Sequence, residues 1–125
     1  MGGCWADDHT ESVREIVSRG HELGNHGYFH KDQDKLSLAA NRQEISLCGD
    51  LVRSLTGVTM TLFAPPSGAY SENTVNAAEA LGYKVIMWSK DTIDWRDHDV
   101  SVIYRRATED AEAGDLVLMH PTKET

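Results

Sequence analysis

The chain has 125 residues, which is one domain's worth by length. Lys plus Arg number 12 against 20 Asp plus Glu, a net charge of −8, and with no basic run this argues against a nucleic-acid or anionic-membrane partner, which needs clustered cations. Apolar residues make up 40%, too many for a disordered polar tail, yet no stretch approaches the ~20 consecutive apolar residues of a membrane helix and no signal peptide is visible.

In chain order, Thr10 to Arg19 reads as a short helix. Val13, Ile16 and Val17 recur at helical spacing, Thr10 is the expected N-cap, and Gly20 stops the helix. His21 to Asn25 is a first strand candidate, followed by Gly27 and a polar loop. Ser37 or Leu38 opens a longer helix to about Leu55, with Leu38, Ile45, Cys48, Val52 and Leu55 facing inward and Gly57 ending it. Thr61 to Ala64 is a second strand, cut off by Pro65-Pro66 and a Ser67-Gly68 turn. Ser71 caps a helix through Leu81, with Val75, Ala78 and Leu81 on one face. Lys84 to Trp88 is a third strand, apolar on both faces and so expected to be buried in a parallel sheet. Asp99 caps a helix to about Ala113, and Asp115 to Met119 is the fourth strand, with His120 directly after it. Helix and strand alternate four times, which implies an α/β fold with a parallel sheet.

The polar chemistry gathers after the strands. His26 and His30 follow the first, Ala64 to Ser67 the second, Asp91, Asp94 and Trp95 the third, and His120 the fourth. In parallel α/β folds the C-terminal strand ends share a face, so these segments are expected to converge on one cleft.

Each segment has a chemical reading and a plainer one. His26 and His30 stand at i, i+4, the spacing that puts two imidazoles on one face of a helical turn, within reach of one metal ion. The spacing also arises by coincidence, and the placement after a strand is what gives it weight. Asp94 could orient His120 and raise its basicity, making His120 a general acid or base. The plainer readings are a turn aspartate and a strand-end histidine with a satisfied ring. Pro65-Pro66-Ser67-Gly68 is a rigid loop whose backbone amides could serve an oxyanion, or simply a strand-terminating turn. Trp95 could stack on a sugar ring, or only pack. Trp88 reads as core, His21 as structural, and His9 and His98 as solvated loop residues. Cys4 and Cys48 form no CxxC pair, which removes zinc fingers and disulfide miniproteins. Two half-buried thiols are favoured over a bridge between them.

Together these segments resemble the polysaccharide deacetylases, the NodB-homology group of carbohydrate esterase family 4. His21-Glu22-Leu23-Gly24-Asn25-His26-Gly27-Tyr28-Phe29-His30 resembles the family's HxxxH motif. Phe63-Ala64-Pro65-Pro66-Ser67-Gly68 resembles the motif usually written with Arg before the prolines. Asp91-Thr92-Ile93-Asp94-Trp95 resembles DxxDW, and Leu118-Met119-His120-Pro121 resembles LxH. The four stand in the family's order.

The resemblance implies a partial distorted (β/α) barrel, with about four parallel strands alternating with helices. It implies one divalent metal ion, most often zinc, held by His26 and His30. It makes His120 the general acid tuned by Asp94, and places Pro66, Ser67 and Trp95 at the substrate and oxyanion. The implied substrate is an acetylated polysaccharide, either peptidoglycan, a chitin-like oligomer or xylan. The family mostly acts outside the cytoplasm, at the cell wall.

Two departures stand out. The family's opening Asp-Asp motif is absent, since Asp7-Asp8 lacks its flanking residues, and Ala64 replaces the arginine. A non-catalytic glycan-binding or structural module derived from a deacetylase is therefore the alternative. A barrel domain is larger than 125 residues, so one incomplete domain cut at both ends is expected. Self-association through an exposed sheet edge would follow.

Overall fold

The computed structural model describes residues 1–121, which divide into a unit over Met1–Ile86 and a second beginning at Met87. The first unit runs α1 (Gly3–Asp8), α2 (Thr10–Ser18), a 3-10 turn at Gln33–Lys35, α3 (Leu38–Thr56), β1 (Leu62–Phe63), a 3-10 turn at Pro66–Gly68, α4 (Glu72–Ala80) and β2 (Lys84–Val85). The second runs β3 (Lys90–Asp91), α5 (Val100–Thr108) and β4 (Val117–Leu118). The strands pair two and two, each pair parallel: β1 with β2 across α4, and β3 with β4 across α5. β3 follows β2 with no helix between them, so the expected alternation of helix and strand breaks there. Among the described residues, no helix is long and apolar enough to cross a membrane.

The helix ends follow their capping chemistry. Ser37 Oγ accepts the Ala40 amide at the start of α3, and Gly57, at φ 76°, ends it by donating to the Arg53 carbonyl. Ser71 and Thr74 form a reciprocal capping box on α4. Asp99 accepts the amides of Ser101 and Val102 on α5. That helix stops at Thr108, short of the expected Ala113. Arg105 and Arg106 suit a helix C-terminus, whereas Glu109, Asp110 and Glu112 would oppose its dipole if it continued.

Several expectations need correction. Thr10 lies inside α2, and His9 holds the N-cap position without a side-chain bond. An additional helix, α1, precedes it, and Asp7 and Asp8 lie in that helix. The His21 to Asn25 strand reduces to a single bridge between Asn25 and Phe63, and His21 is exposed. The third strand ends at Val85. This shortening has a local cause: Pro65 and Pro66 carry no N–H, so the ladder on β1 ends there. The last rungs are Ala64 N–H to Asn25 carbonyl and Ile86 N–H to Phe63 carbonyl. Trp88 is only half-buried and Met87 is exposed. Leu81 sits past the end of α4 and is exposed, while Thr74, Ala77 and Ala78 form the buried face.

Two apolar clusters fill the first unit, and α3 serves both. Cys48 and Val52 pack with Ala6, Val13, Leu23 and Met60, while Ile45 packs with Phe63, Ala77 and Ala78. The cysteines are unpaired, but neither is half-buried: Cys4 is exposed and Cys48 buried.

Close backbone approach sets one glycine. A Cβ on Gly3 would lie 2.3 Å from the Tyr28 ring and 2.9 Å from its Cα. Gly3 and Cys4 also donate their amides to the carbonyls of Gly27 and Tyr28. Gly3→Ala should therefore destabilise the first unit by about 1–3 kcal/mol, the usual overpacking cost, although alanine is the better helix former. Urea unfolding checks the sign.

Candidate active site

Asn25 begins the construction in the first unit. Its backbone is clamped to β1 on both sides, Asn25 N–H to Leu62 carbonyl and Ala64 N–H to Asn25 carbonyl. Its buried side chain donates to the Ile45 carbonyl at 2.8 Å and accepts the Gly27 amide at 2.9 Å. The following loop is not helical. Gly27 sits at φ 74° and His30 at φ 56°, both left-handed. The i, i+4 spacing therefore works through a looped chain and not a helical turn. It nonetheless brings the His26 and His30 rings together, edge to face with centroids 5.0 Å apart.

His26 has a defined tautomer. Its Nδ1 lies 2.7 Å from the Ala64 carbonyl, which can only accept, so Nδ1 carries a proton, and in the neutral ring the lone pair is on Nε2. Imidazoles that hold metals are oriented by just such a bond from their second nitrogen. The Ala64 main chain thus orients His26 whatever the side chain there.

Pro65 and Pro66 are fully buried and Ser67 is exposed in the left-handed region, φ 56°. Gly68 and Ala69 donate their amides within the turn, to Pro65 and Pro66 carbonyls. Asp32, not singled out in the sequence, bonds Lys35 at 2.6 Å. That bond and the Lys35 charge, helped by the Ser67 hydroxyl and the His30 charge, hold its carboxyl below the ordinary range. Glu44 was also missed. It is a buried acid on the inward face of α3 that accepts the amides of Tyr28 and Phe29. Its legible signal was a charged residue one position before Ile45 on the buried stripe.

In the second unit, Asp94 and His120 meet as the sequence suggested. Asp94 is fully buried. Its Oδ2 accepts the His120 amide at 2.6 Å and its Oδ1 faces His120 Nδ1 at 2.8 Å. Burial alone would raise the Asp94 pKa, but the bonds from His120 and Thr92 outweigh it and hold the carboxyl below the usual value. An ionised carboxylate only accepts, so His120 carries its proton on Nδ1. Trp95 is 59% exposed, with the Arg96 guanidinium 5.8 Å from its ring centre. His98 is exposed as expected, whereas His9 stacks on Trp5 at 4.6 Å.

Arg106 braces the loop carrying Asp94. Its Nη1 donates to the Thr92 carbonyl at 3.1 Å and to Asp97 at 2.7 Å. Bonds from Arg96 and then Arg106 lower the Asp97 pKa to about 2 from an ordinary 3.8. The unfolded chain therefore takes up this proton first. The contribution to stability is complete above the ordinary value and is lost as pH falls towards 2. Thermal melts between pH 5 and pH 2 should show this loss, with a flatter slope in Asp97→Asn.

Among known proteins, a family model described as polysaccharide deacetylase matches residues 1–86. The chain is 32% identical over its whole length to the uncharacterized protein YlxY of Bacillus subtilis, covering 39% of that protein. It is 27% identical over 94% of its length to a peptidoglycan-N-acetylglucosamine deacetylase of Bacillus cereus, covering 42% of it. A solved pseudoenzyme of the CE4 family from Bacillus anthracis superposes with a TM-score of 0.92 at 32% identity, over 98% of this chain and 44% of that one. The chain thus spans less than half the length of these relatives.

Proposed function

The chain belongs to the polysaccharide deacetylase family, and from there we propose that it serves the metal-dependent removal of N-acetyl groups from a cell-wall glycan of the peptidoglycan type. The observation that carries this reading is the buried Asp94 carboxylate holding both the amide and the ring of His120. The relatives named as peptidoglycan deacetylases support the substrate class.

The donor set suits a divalent cation in kind. Two imidazoles stand 5.0 Å apart, and the His26 tautomer leaves Nε2 as its basic nitrogen, which fits zinc. A catalytic zinc takes three protein ligands. Among the described residues, no group of three or more His, Cys, Asp or Glu stands ready for one. His26 and His30 would therefore supply two positions of such a site. When bound, the ion supplies a Lewis acid for the acetyl carbonyl and acidifies a water.

The chain's own residues supply the rest. Asp94 keeps the His120 proton on Nδ1, so Nε2 is the nitrogen that exchanges protons with substrate. His120 acts as general acid, giving a proton to the departing amine. The Ser67 amide, on its rigid Pro65-Pro66 support, donates to the developing oxyanion. The exposed Trp95 face offers a platform for a sugar ring.

A second reading is a non-catalytic glycan-binding module. Ala64 in place of an arginine, the two-ligand set and the likeness to a pseudoenzyme favour it. Acetate release separates the two. Peptidoglycan, chitin oligomers and acetylated xylan, each incubated with the chain and Zn²⁺ or Co²⁺, should release acetate in a reaction lost in His120→Ala. Glycan binding without release supports the module, and neither binding nor release overturns both readings.

A further inference from the structure

Glu44 has no part in the chemistry above, yet it is an acidic residue only 3% exposed. Its Oε2 accepts the Phe29 amide at 2.9 Å and the Tyr28 amide at 3.2 Å. Its Oε1 pairs with Lys31 Nζ at 3.2 Å. Tyr28, Phe29 and Lys31 flank His30 on both sides. Gly27, the remaining residue between the two histidines, is so close that a Cβ there would lie 3.5 Å from Glu44 Oε2. The carboxylate thus touches or abuts the whole segment joining His26 to His30.

Burying a carboxylate against one half-exposed lysine is costly. An apolar residue on this stripe of α3 would pack without that cost. What the carboxylate supplies is one fixed acceptor, Oε2, shared by two consecutive amides, whose alignment resembles the concave N–H arrays that bind anions. Those amides hold the loop in the shape in which Gly27 and His30 take left-handed backbone angles. His30 is a non-glycine residue there, a conformation that persists only when its surroundings impose it. We propose that Glu44 is a positioning residue that sets the approach of the His30 ring to the His26 ring. The proposal rests on the reading of these two histidines as metal ligands only where metal affinity is the readout.

The test compares the chain with Glu44→Gln by three measurements. These are amide exchange at Tyr28 and Phe29, the NOE between the His26 and His30 rings, and titration with Co²⁺. In a variant that keeps its far-UV CD spectrum, the two amides should exchange at least tenfold faster. The ring NOE should fade, and Co²⁺ should bind at least tenfold more weakly. A folded variant with the NOE intact and Co²⁺ affinity within twofold of the parent overturns the proposal. If the parent does not bind Co²⁺, the ligand reading fails and the ring NOE alone decides: its loss supports the positioning role, its retention overturns it. If Glu44→Gln does not fold, Lys31→Met replaces it, with a smaller change of the same direction expected and no change overturning the role.

Discussion

Asp94→Asn should lower acetate release by about 10²–10⁴-fold, the range over which general acid–base groups act. Asparagine keeps the shape and one acceptor oxygen, but it removes the charge that holds the His120 proton on Nδ1. The amide can also turn its NH₂ toward the ring and favour the opposite tautomer. Asp94 faces His120 at 2.8 Å through Oδ1 and 2.6 Å through Oδ2, so both the ring and the main chain feel the change. Nitrogen-15 shifts of the His120 ring report the tautomer directly, whether or not acetate is released. A ring that stays protonated on Nδ1 with an unchanged rate would show that Asp94 only packs. The pH dependence has a definite sign. The Asp94 carboxyl is held below its usual value, so its share of stability is present above the ordinary carboxylate range and is lost as pH falls through the lowered value.

Phe63→Ala should destabilise the first unit by about 3–5 kcal/mol, the usual cost of emptying a buried phenylalanine site. A small domain has about 5–15 kcal/mol in total, so the variant should sit near the edge of folding at room temperature. Phe63 is fully buried with Ile45, Ala77 and Ala78, and its backbone pairs Val85 on one side and Asn25 on the other. The loss therefore reaches the histidine loop through Asn25, whose side chain holds the Gly27 amide. Urea unfolding measures it, and Phe63→Leu should cost clearly less. Equal costs for the two substitutions would mean that the core has closed over the site.

The helices were legible because Gly20, Gly57, Gly82 and the Ser37, Ser71 and Asp99 caps punctuate the chain, whereas β3, which follows β2 with no helix between, was not. Strand lengths were not. Lys84 to Trp88 reads as a full strand, but pairing needs a partner, and Pro65-Pro66 ends the partner after two residues. The Asp94–His120 pair was legible from the placement of each after a predicted strand. The histidine pair was found through a helical spacing, and the loop achieves it with two left-handed residues that periodicity does not encode. Glu44 and Asn25 escaped because their work is done on backbone groups. A bond between a carboxylate and the amides of Tyr28 and Phe29 is set by tertiary contact with α3.

Titration of Zn²⁺ into the chain by calorimetry addresses the imidazole pair most directly. One ion per chain should bind, with an affinity weakened by the short donor set, and binding should vanish in His26→Ala and in His30→Ala while both variants remain folded. Zinc affinity that survives both substitutions, or a folded parent that takes up no zinc, would contradict the assignment of these two rings as ligands.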